Sequence, residues 1–114
     1  MRSHVTTHVL DAALGVPAMG IDVTLEQRVE AENAWQAIAF SATDADGRIN
    51  ELGPEQLSAG RYRVTFDTGT YFAARDTRTF YPEVTIVFEL ADAAAHYHVP
   101  LLLSPFAYST YRGS

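Results

Sequence analysis

Four histidines occur in two short runs of the chain, and their side chains could carry acid–base chemistry. His4 and His8 lie in "HVTTHVLD", and His96 and His98 lie in "AHYHVP". Because alternate residues of a strand point to the same side, each pair would share one face of its strand. Histidine titrates near neutral pH and transfers protons from partly desolvated positions. A single histidine is more often a surface residue or a core-edge side chain bonded to a backbone carbonyl, so catalytic and structural roles both stay open.

A metal site is the second chemistry that two histidine pairs would allow. Imidazole is a common zinc ligand, but the sequence has no cysteine and no HExxH motif. Strand spacing alone is weak evidence for a metal ion. We therefore predict that the protein binds no metal.

Two arginines are candidates for binding a substrate, one just after a predicted turn and one near the end of the sequence. Arg48 comes after Asp46-Gly47, a hairpin-turn dipeptide, and local sequence alone favours a solvated residue at the start of a strand. Arg112 lies beside Tyr111 in the final "YRGS", where pairing or stacking is expected to hold its guanidinium group. No glycine-rich phosphate loop, serine nucleophile elbow or paired-carboxylate pattern is recognisable.

Strands must position these residues. Runs rich in Val, Ile, Thr, Phe and Tyr, most of them alternating with period two, predict strands in "HVTTHVLD", "IDVTLEQRV", "WQAIAFSAT", "RYRVTFDT", "EVTIVFEL" and "HYHVPLLLSPFAYST". Turn residues separate them in "ALGVPAMG", "DADGR", "GPEQLSAG" and "YPE". The helical candidate is "GTYFAARDTR". The pattern predicts an all-β sandwich or barrel with one short helix, as a single domain over residues 1–114.

One predicted strand, in "YHVPLLLSPF", is apolar on both faces. One face carries Tyr97, Val99, Leu101 and Leu103, and the other carries His98, Pro100 and Leu102. A sandwich has one core, so the second face is expected to pack against another subunit, to line a ligand cavity, or both. A proline within the run indicates an edge or irregular strand.

Composition excludes several classes of partner. Eight basic and fourteen acidic side chains give a net charge of −6, without a Lys/Arg cluster, which disfavours nucleic acid and anionic membranes. The 47% hydrophobic content suffices for a core, but no run approaches the roughly 18 apolar residues of a membrane span. No export signal is visible, so a cytoplasmic location is expected.

Three segments of the chain together resemble the transthyretin-related family. They are "THVLDAALGVPA", "TDADGRI" and "HYHVPLLLSPFAYSTYRGS". "LLLSPFAYST" is also compatible with hormone-carrying transthyretins, whereas the terminal "YRGS" resembles the signature of the family's 5-hydroxyisourate hydrolases. The resemblance implies a transthyretin-like β-sandwich of two antiparallel sheets with Greek-key connections and one short helix. It also implies a homotetramer, built as a dimer of dimers, with active sites at the dimer–dimer interface.

The resemblance further implies a reaction and its residues. The reaction is hydrolysis of 5-hydroxyisourate to 2-oxo-4-hydroxy-4-carboxy-5-ureidoimidazoline in urate catabolism, by histidine-assisted attack of water on a ring carbonyl and without a cofactor. The matching catalytic positions are His8, Arg48, His98 and Ser114, and the substrate-binding positions are Arg48, Tyr111, Arg112 and Gly113.

Each of these residues has an expected role. His8 and His98 would share water activation and proton transfer, while Arg48 holds the substrate and stabilises developing negative charge. Ser114 would position water or fix a histidine tautomer through its hydroxyl and terminal carboxylate. His4 and His96 match no functional position; His4 is expected at the surface.

Two other functions stay open at this level. The first is a carrier that binds a small hydrophobic or hormone-like ligand in the same channel, as transthyretins do. The polarity of His8, Arg48 and His98 argues against it. The second is an interaction domain without catalysis, which an assay of the isolated protein would separate from an enzyme.

Overall fold

The fold consists of two β-sheets and one short helix. The computed structural model describes residues 2–114. The first sheet contains β1 (Val5–Asp11), β2 (Val16–Pro17), β5 (Arg48–Ile49), β8 (Tyr97–Ser104) and β9 (Ala107–Thr110). The second sheet contains β3 (Asp22–Val29), β4 (Ala34–Ala42), β6 (Gly60–Phe66) and β7 (Val84–Leu90). The helix α1 spans Thr68–Ala73, and a single 3₁₀ turn spans Glu30–Glu32.

Strand order places β1 and β8 at the centre of the first sheet. Its order is β2-β1-β8-β9, with the short strand β5 also on β1, and the order of the second sheet is β4-β3-β6-β7. The expected two sheets and single helix are confirmed, but β1 and β8 pair in parallel, so the first sheet is mixed rather than purely antiparallel. Parallel neighbours need a long crossover, and here the whole second sheet lies between them in the chain.

The core lies between the sheets, where the inward faces of the strands meet. The predicted inward residues of β6 (Tyr62, Val64 and Phe66) are fully buried. On β8, Leu101 and Leu103 are fully buried as well, and Tyr97 and Val99 are nearly so. Period-two patterning therefore identified the core face correctly on both strands, because each packs one side against the opposite sheet.

Three local predictions need correction. Pro100 lies in a central strand of its sheet and is buried, not on an edge. The helix covers Thr68–Ala73 instead of residues 69–78, because Asp67 caps its start by accepting a hydrogen bond from the Thr70 N–H at 3.2 Å. The presumed loop "ALGVPAMG" contains β2, which pairs with the end of β1.

A buried carboxylate ties the helix to the first sheet. Asp11, at the end of β1, accepts a 2.8 Å hydrogen bond from the Tyr71 hydroxyl and a second bond from the Leu14 N–H. Burial, together with the bond to Asp11 and its charge, raises the pKa of Tyr71 to about 12. The hydroxyl therefore keeps its proton through neutral pH, and its stabilising contribution is lost only as the pH rises from about 10 towards that value.

Replacing this tyrosine tests the strength of the bond. Tyr71→Phe removes a hydrogen bond to a charged acceptor, so the free energy of unfolding should fall by roughly 1.5–3 kcal/mol in urea denaturation. Tyr62→Phe is the matched control, because Tyr62 donates to the neutral carbonyl of Ser58 at 2.6 Å. The control should lose only about 0.5–1.5 kcal/mol. Equal losses in the two variants would contradict the special role of the Asp11 carboxylate.

Candidate active site

Strand register brings three of the predicted catalytic side chains onto one face of the first sheet. On β1, His8 pairs with Arg48 of β5 on one side and with Pro100 of β8 on the other. His98 lies two residues before Pro100, so it has the same orientation and is paired with Thr6. This surface points away from the core, and we call the group of His8, Arg48 and His98 the outer-face cluster.

A tight turn holds Arg48 beside His8. The side chain of Asp44 accepts hydrogen bonds from the Asp46 and Arg48 N–H groups, each at 2.9 Å. Gly47 has φ +75°, and an added Cβ would lie 2.4 Å from the carbonyl oxygen of Val9. The glycine is therefore required both for the left-handed conformation and for the close approach to β1. The local prediction of a turn is correct, and this turn places Arg48 beside His8.

The ring of His8 is anchored to the same turn. Its Nε2 lies 2.9 Å from the carbonyl oxygen of Asp46, at the tip of the turn. For this contact to be a hydrogen bond, Nε2 must carry the proton and donate it. The remaining nitrogen, Nδ1, is then the acceptor of a neutral His8 ring.

His98 is the most constrained member of the cluster. Its Nδ1 lies 2.8 Å from Thr6 Oγ1, and its ring is partly buried. Desolvation lowers the pKa of His98 below its usual value, and the positive charge of Arg48 and the neighbouring His8 lower it further. His98 is thus neutral at pH 7 and available to accept a proton. Sequence reasoning missed Thr6, since a threonine in a strand carries no distinctive signal.

Gly113 returns to β8 beside His98. The β8–β9 ladder pairs Leu101 with Thr110, and the isolated bridge between His98 and Gly113 keeps the same register three residues further along. The Gly113 N–H donates to the His98 carbonyl at 2.9 Å. An added Cβ on Gly113 would lie 2.5 Å from His98 Cδ2, so the absence of a side chain at Gly113 leaves room for the imidazole.

The other terminal residues take different positions. The guanidinium of Arg112 stacks 4.3 Å above the ring of Tyr97, a side chain that faces inward, so this arginine does not join the outer-face cluster. Tyr111 is 60% exposed, and Ser114 is also exposed. A cavity of about 370 Å³ next to this segment is lined by His98, Tyr111 and Arg112, but not by His8 or Arg48. The cluster itself therefore lies on an open face of the chain.

The two remaining histidines are not free surface residues. His4 is only 5% exposed, and it bridges the Leu57 N–H at 2.8 Å and the Ala95 carbonyl at 2.7 Å. The expectation that it lies at the surface is wrong, because both nitrogens of its ring bond to backbone groups of distant segments, at Leu57 and Ala95. His96 is partly buried and contacts Thr6 Oγ1 through Nε2 at 2.9 Å.

The outer-face cluster can bind and polarise a polar substrate. It combines the neutral imidazole of His98, the imidazole of His8 with its free Nδ1, and the permanent positive charge of Arg48. This combination suits acid–base chemistry on an anionic or carbonyl-bearing molecule. Within residues 2–114, no group of three or more His, Asp or Glu side chains is arranged to hold a metal ion. In the same residues, no helix is long and apolar enough to cross a membrane.

Comparisons with known proteins identify the family of this chain. A model of the HIUase/Transthyretin family matches residues 5–113. A 5-hydroxyisourate hydrolase from Salmonella typhimurium is 48% identical over 110 residues, which cover 96% of this chain and 79% of that protein.

Solved structures give the same result. A transthyretin from Sparus aurata superposes with a TM-score of 0.92 at 37% identity, covering 98% of this chain and 97% of the other. The 5-hydroxyisourate hydrolase of Klebsiella pneumoniae superposes with a TM-score of 0.85 at 35% identity, covering 96% and 98%. In fold and in sequence, this chain belongs to the HIUase/Transthyretin family.

Proposed function

We propose that this chain is an enzyme that hydrolyses 5-hydroxyisourate. The observation that carries the proposal is the outer-face cluster, in which His8 and Arg48 are paired across strands and His98 lies on the neighbouring strand with a lowered pKa. The substrate class is that of the hydrolases to which the chain is similar. A flat, polar purine derivative offers carbonyl oxygens and negative charge to this surface.

The reaction needs a base, a nucleophilic water and stabilisation of an oxyanion. Neutral His98 takes a proton from water at Nε2 while the water oxygen bonds to a ring carbonyl carbon, and the carbonyl π pair moves onto its oxygen. The developing negative charge is placed near Arg48. When the intermediate collapses, the ring C–N bond breaks and the leaving nitrogen takes the proton back. The carbonyl carbon becomes a carboxyl group.

His8 positions the substrate and shares the proton traffic. Its Nε2 is bonded to the Asp46 carbonyl, so Nδ1 is the atom that accepts a hydrogen bond from an N–H or O–H of the substrate or water. Gly113 serves the site by leaving room for the His98 ring. Tyr111 and Ser114 are exposed and form one wall of the proposed site. Arg112 holds this segment in place by stacking on Tyr97.

A ligand carrier is the less favoured function for this surface. A carrier for a hydrophobic hormone would need an apolar channel, whereas here the outer face presents two imidazoles and a guanidinium group. Burying these groups against an apolar ligand would leave their hydrogen-bonding capacity unsatisfied, which is costly. The cluster is therefore better matched to a polar substrate.

The active enzyme is proposed to be a homotetramer with paired sites between dimers. The outer face carries Leu102 at 36% exposure, and the adjoining β1–β2 loop and β2 carry Leu14 at 66% and Val16 at 44%. Exposed apolar side chains beside a polar cluster favour a covering subunit. Such a subunit would exclude water from the cluster and complete the wall opposite it.

Direct assay of the reaction tests the proposed activity. Freshly generated 5-hydroxyisourate, made from urate and urate oxidase, should lose its ultraviolet absorbance faster with this protein than without it. His98→Asn keeps a hydrogen-bonding group near the position of Nδ1 but lacks the basic nitrogen, so kcat/KM should fall by about 10²–10⁴-fold. Thermal melting must show that the variant is folded. If 5-hydroxyisourate decays no faster with the wild-type protein than in buffer alone, the hydrolase assignment is wrong.

The charge of Arg48 should control the pH response of His98. Arg48→Gln removes a positive charge that lowers the pKa of His98, so this pKa should rise in an NMR titration of the imidazole Cε1–H signal. The acidic limb of kcat/KM, where His98 becomes protonated, should move to higher pH with it. Arg61→Gln changes an exposed arginine of the other sheet and should leave both unchanged. An unshifted His98 titration in Arg48→Gln would refute the coupling.

A charge on the outer face tests the assembly. Leu102→Glu would place a carboxylate in the proposed interface, where an unpaired buried charge is strongly destabilising. Analytical ultracentrifugation should show dimers in place of tetramers. Phe40→Glu is the control, since Phe40 is 69% exposed on the second sheet and should leave the tetramer intact. A Leu102→Glu variant that remains tetrameric would rule out this face as the dimer–dimer interface.

A further inference from the structure

One threonine hydroxyl lies between two imidazoles beside the outer-face cluster. Thr6 Oγ1 is 2.8 Å from Nδ1 of His98 and 2.9 Å from Nε2 of His96. Thr6 is only 2% exposed, so its hydroxyl is shielded from bulk water. The roles so far given to His8, Arg48 and His98 use neither Thr6 nor His96.

The number of hydrogens on this hydroxyl dictates a direction for the chain of bonds. A hydroxyl has one hydrogen to donate and two lone pairs that accept. A buried donor must be satisfied, so Thr6 donates to one imidazole and accepts from the other. If Thr6 donates to His96, then His98 must carry its proton on Nδ1 and expose a lone pair on Nε2. If Thr6 donates to His98, that lone pair is lost.

We propose that the Thr6 hydroxyl is a positioning and proton-relay residue that couples His98 to His96. In the resting state Thr6 donates to His96 Nε2 and accepts from His98 Nδ1, which fixes His98 in the tautomer whose Nε2 is basic. This inference rests on the proposed hydrolase function for its catalytic consequence. The hydrogen-bonding arrangement itself can be measured without substrate.

The relay balances without any other reactant. When His98 Nε2 takes a proton from water, the ring holds a proton on each nitrogen. Its Nδ1 proton passes to Thr6 Oγ1 as the hydroxyl proton passes to His96 Nε2, leaving His98 neutral with its proton on Nε2. When the leaving nitrogen takes that proton, the excess proton moves back from His96 through Thr6 to His98 Nδ1, so the resting tautomer is restored. Between the two steps the excess proton resides on His96, which is partly exposed.

The surroundings of the two rings support an exchange between them. Burial is the largest cause of a lowered pKa at both His96 and His98, so neither ring holds a proton strongly enough to trap it. His98 faces Arg48 and His8, while His96 faces Arg2 and His4, and all four groups disfavour a lasting positive charge. Arg112 also lies close, with Nη2 3.4 Å from the His96 carbonyl.

The test removes the hydroxyl while keeping its shape. Thr6→Val should lower kcat by about tenfold or more while KM stays within about twofold. The reason is that His98 loses its preferred tautomer and can no longer pass a proton to His96. Thr6→Ser keeps the hydroxyl and should restore most of kcat. Thr7→Val is the matched control, since the neighbouring Thr7 is also fully buried but its hydroxyl donates to the Val99 carbonyl at 2.6 Å rather than to a histidine.

NMR of the imidazole nitrogens separates a relay from a structural effect. Wild-type His98 should show a single tautomer with the proton on Nδ1, and Thr6→Val should show a mixture of both. In His96→Phe the hydroxyl loses its acceptor and should donate to His98 instead, moving the His98 proton to Nε2 and lowering kcat. Thr7→Val should leave the wild-type tautomer in place.

Each result decides the inference. Wild-type kcat in Thr6→Val, an unchanged His98 tautomer in both Thr6→Val and His96→Phe, or an equal loss of kcat in Thr7→Val would overturn it. Failure of the wild-type protein to hydrolyse 5-hydroxyisourate would overturn the proposed function instead. The tautomer spectra would still report whether Thr6 controls His98.

Discussion

The parallel pairing of β1 with β8 is the constraint on which the site depends. It runs for seven residue pairs, from Val5 with Tyr97 to Asp11 with Leu103. Its register places Thr6 opposite His98 and His8 opposite Pro100. A shift of one residue would turn Thr6 and His8 into the core and bring Val5 and Val9 to the surface. Burial of the two valines therefore fixes the position of Thr6 and His8, because the same register serves both.

Pro100 and Gly113 shape the edge of this surface together. In the continuous register of β8 with the terminal segment, Pro100 would face Tyr111, but proline has no N–H to donate to it. The Pro100 carbonyl accepts instead from the Thr110 hydroxyl at 2.7 Å. The pairing between β8 and the terminal segment is interrupted at this point and resumes at Gly113, so the side chains of Tyr111 and Arg112 take different positions. One is exposed beside the cluster, and the other stacks on Tyr97.

Local structure explains how a chain of net charge −6 can place a positive group near His98. Within the part of the chain described here, the turn of Asp44 uses its carboxylate to bind backbone N–H groups, which leaves the guanidinium of Arg48 exposed on the outer face. Arg48 therefore creates a positive electrostatic potential near His98, although the molecule as a whole is acidic. This field and desolvation act in the same direction, and both keep His98 neutral at physiological pH.

The sequence by itself determined the longer strands, the inward faces of β6 and β8 and the turn that carries Arg48, because period-two patterning and Asp-Gly turn chemistry are local properties. Its motifs also indicated His8, Arg48 and His98 as a group. It misplaced His4 and Pro100, since burial of the first and the central position of the second depend on partners far away in the chain. It was silent about Thr6, an ordinary strand residue until folding sets it between His96 and His98, ninety or more positions later. Only the tertiary structure decided that contact, because a hydrogen bond between strands requires a register that no local pattern encodes.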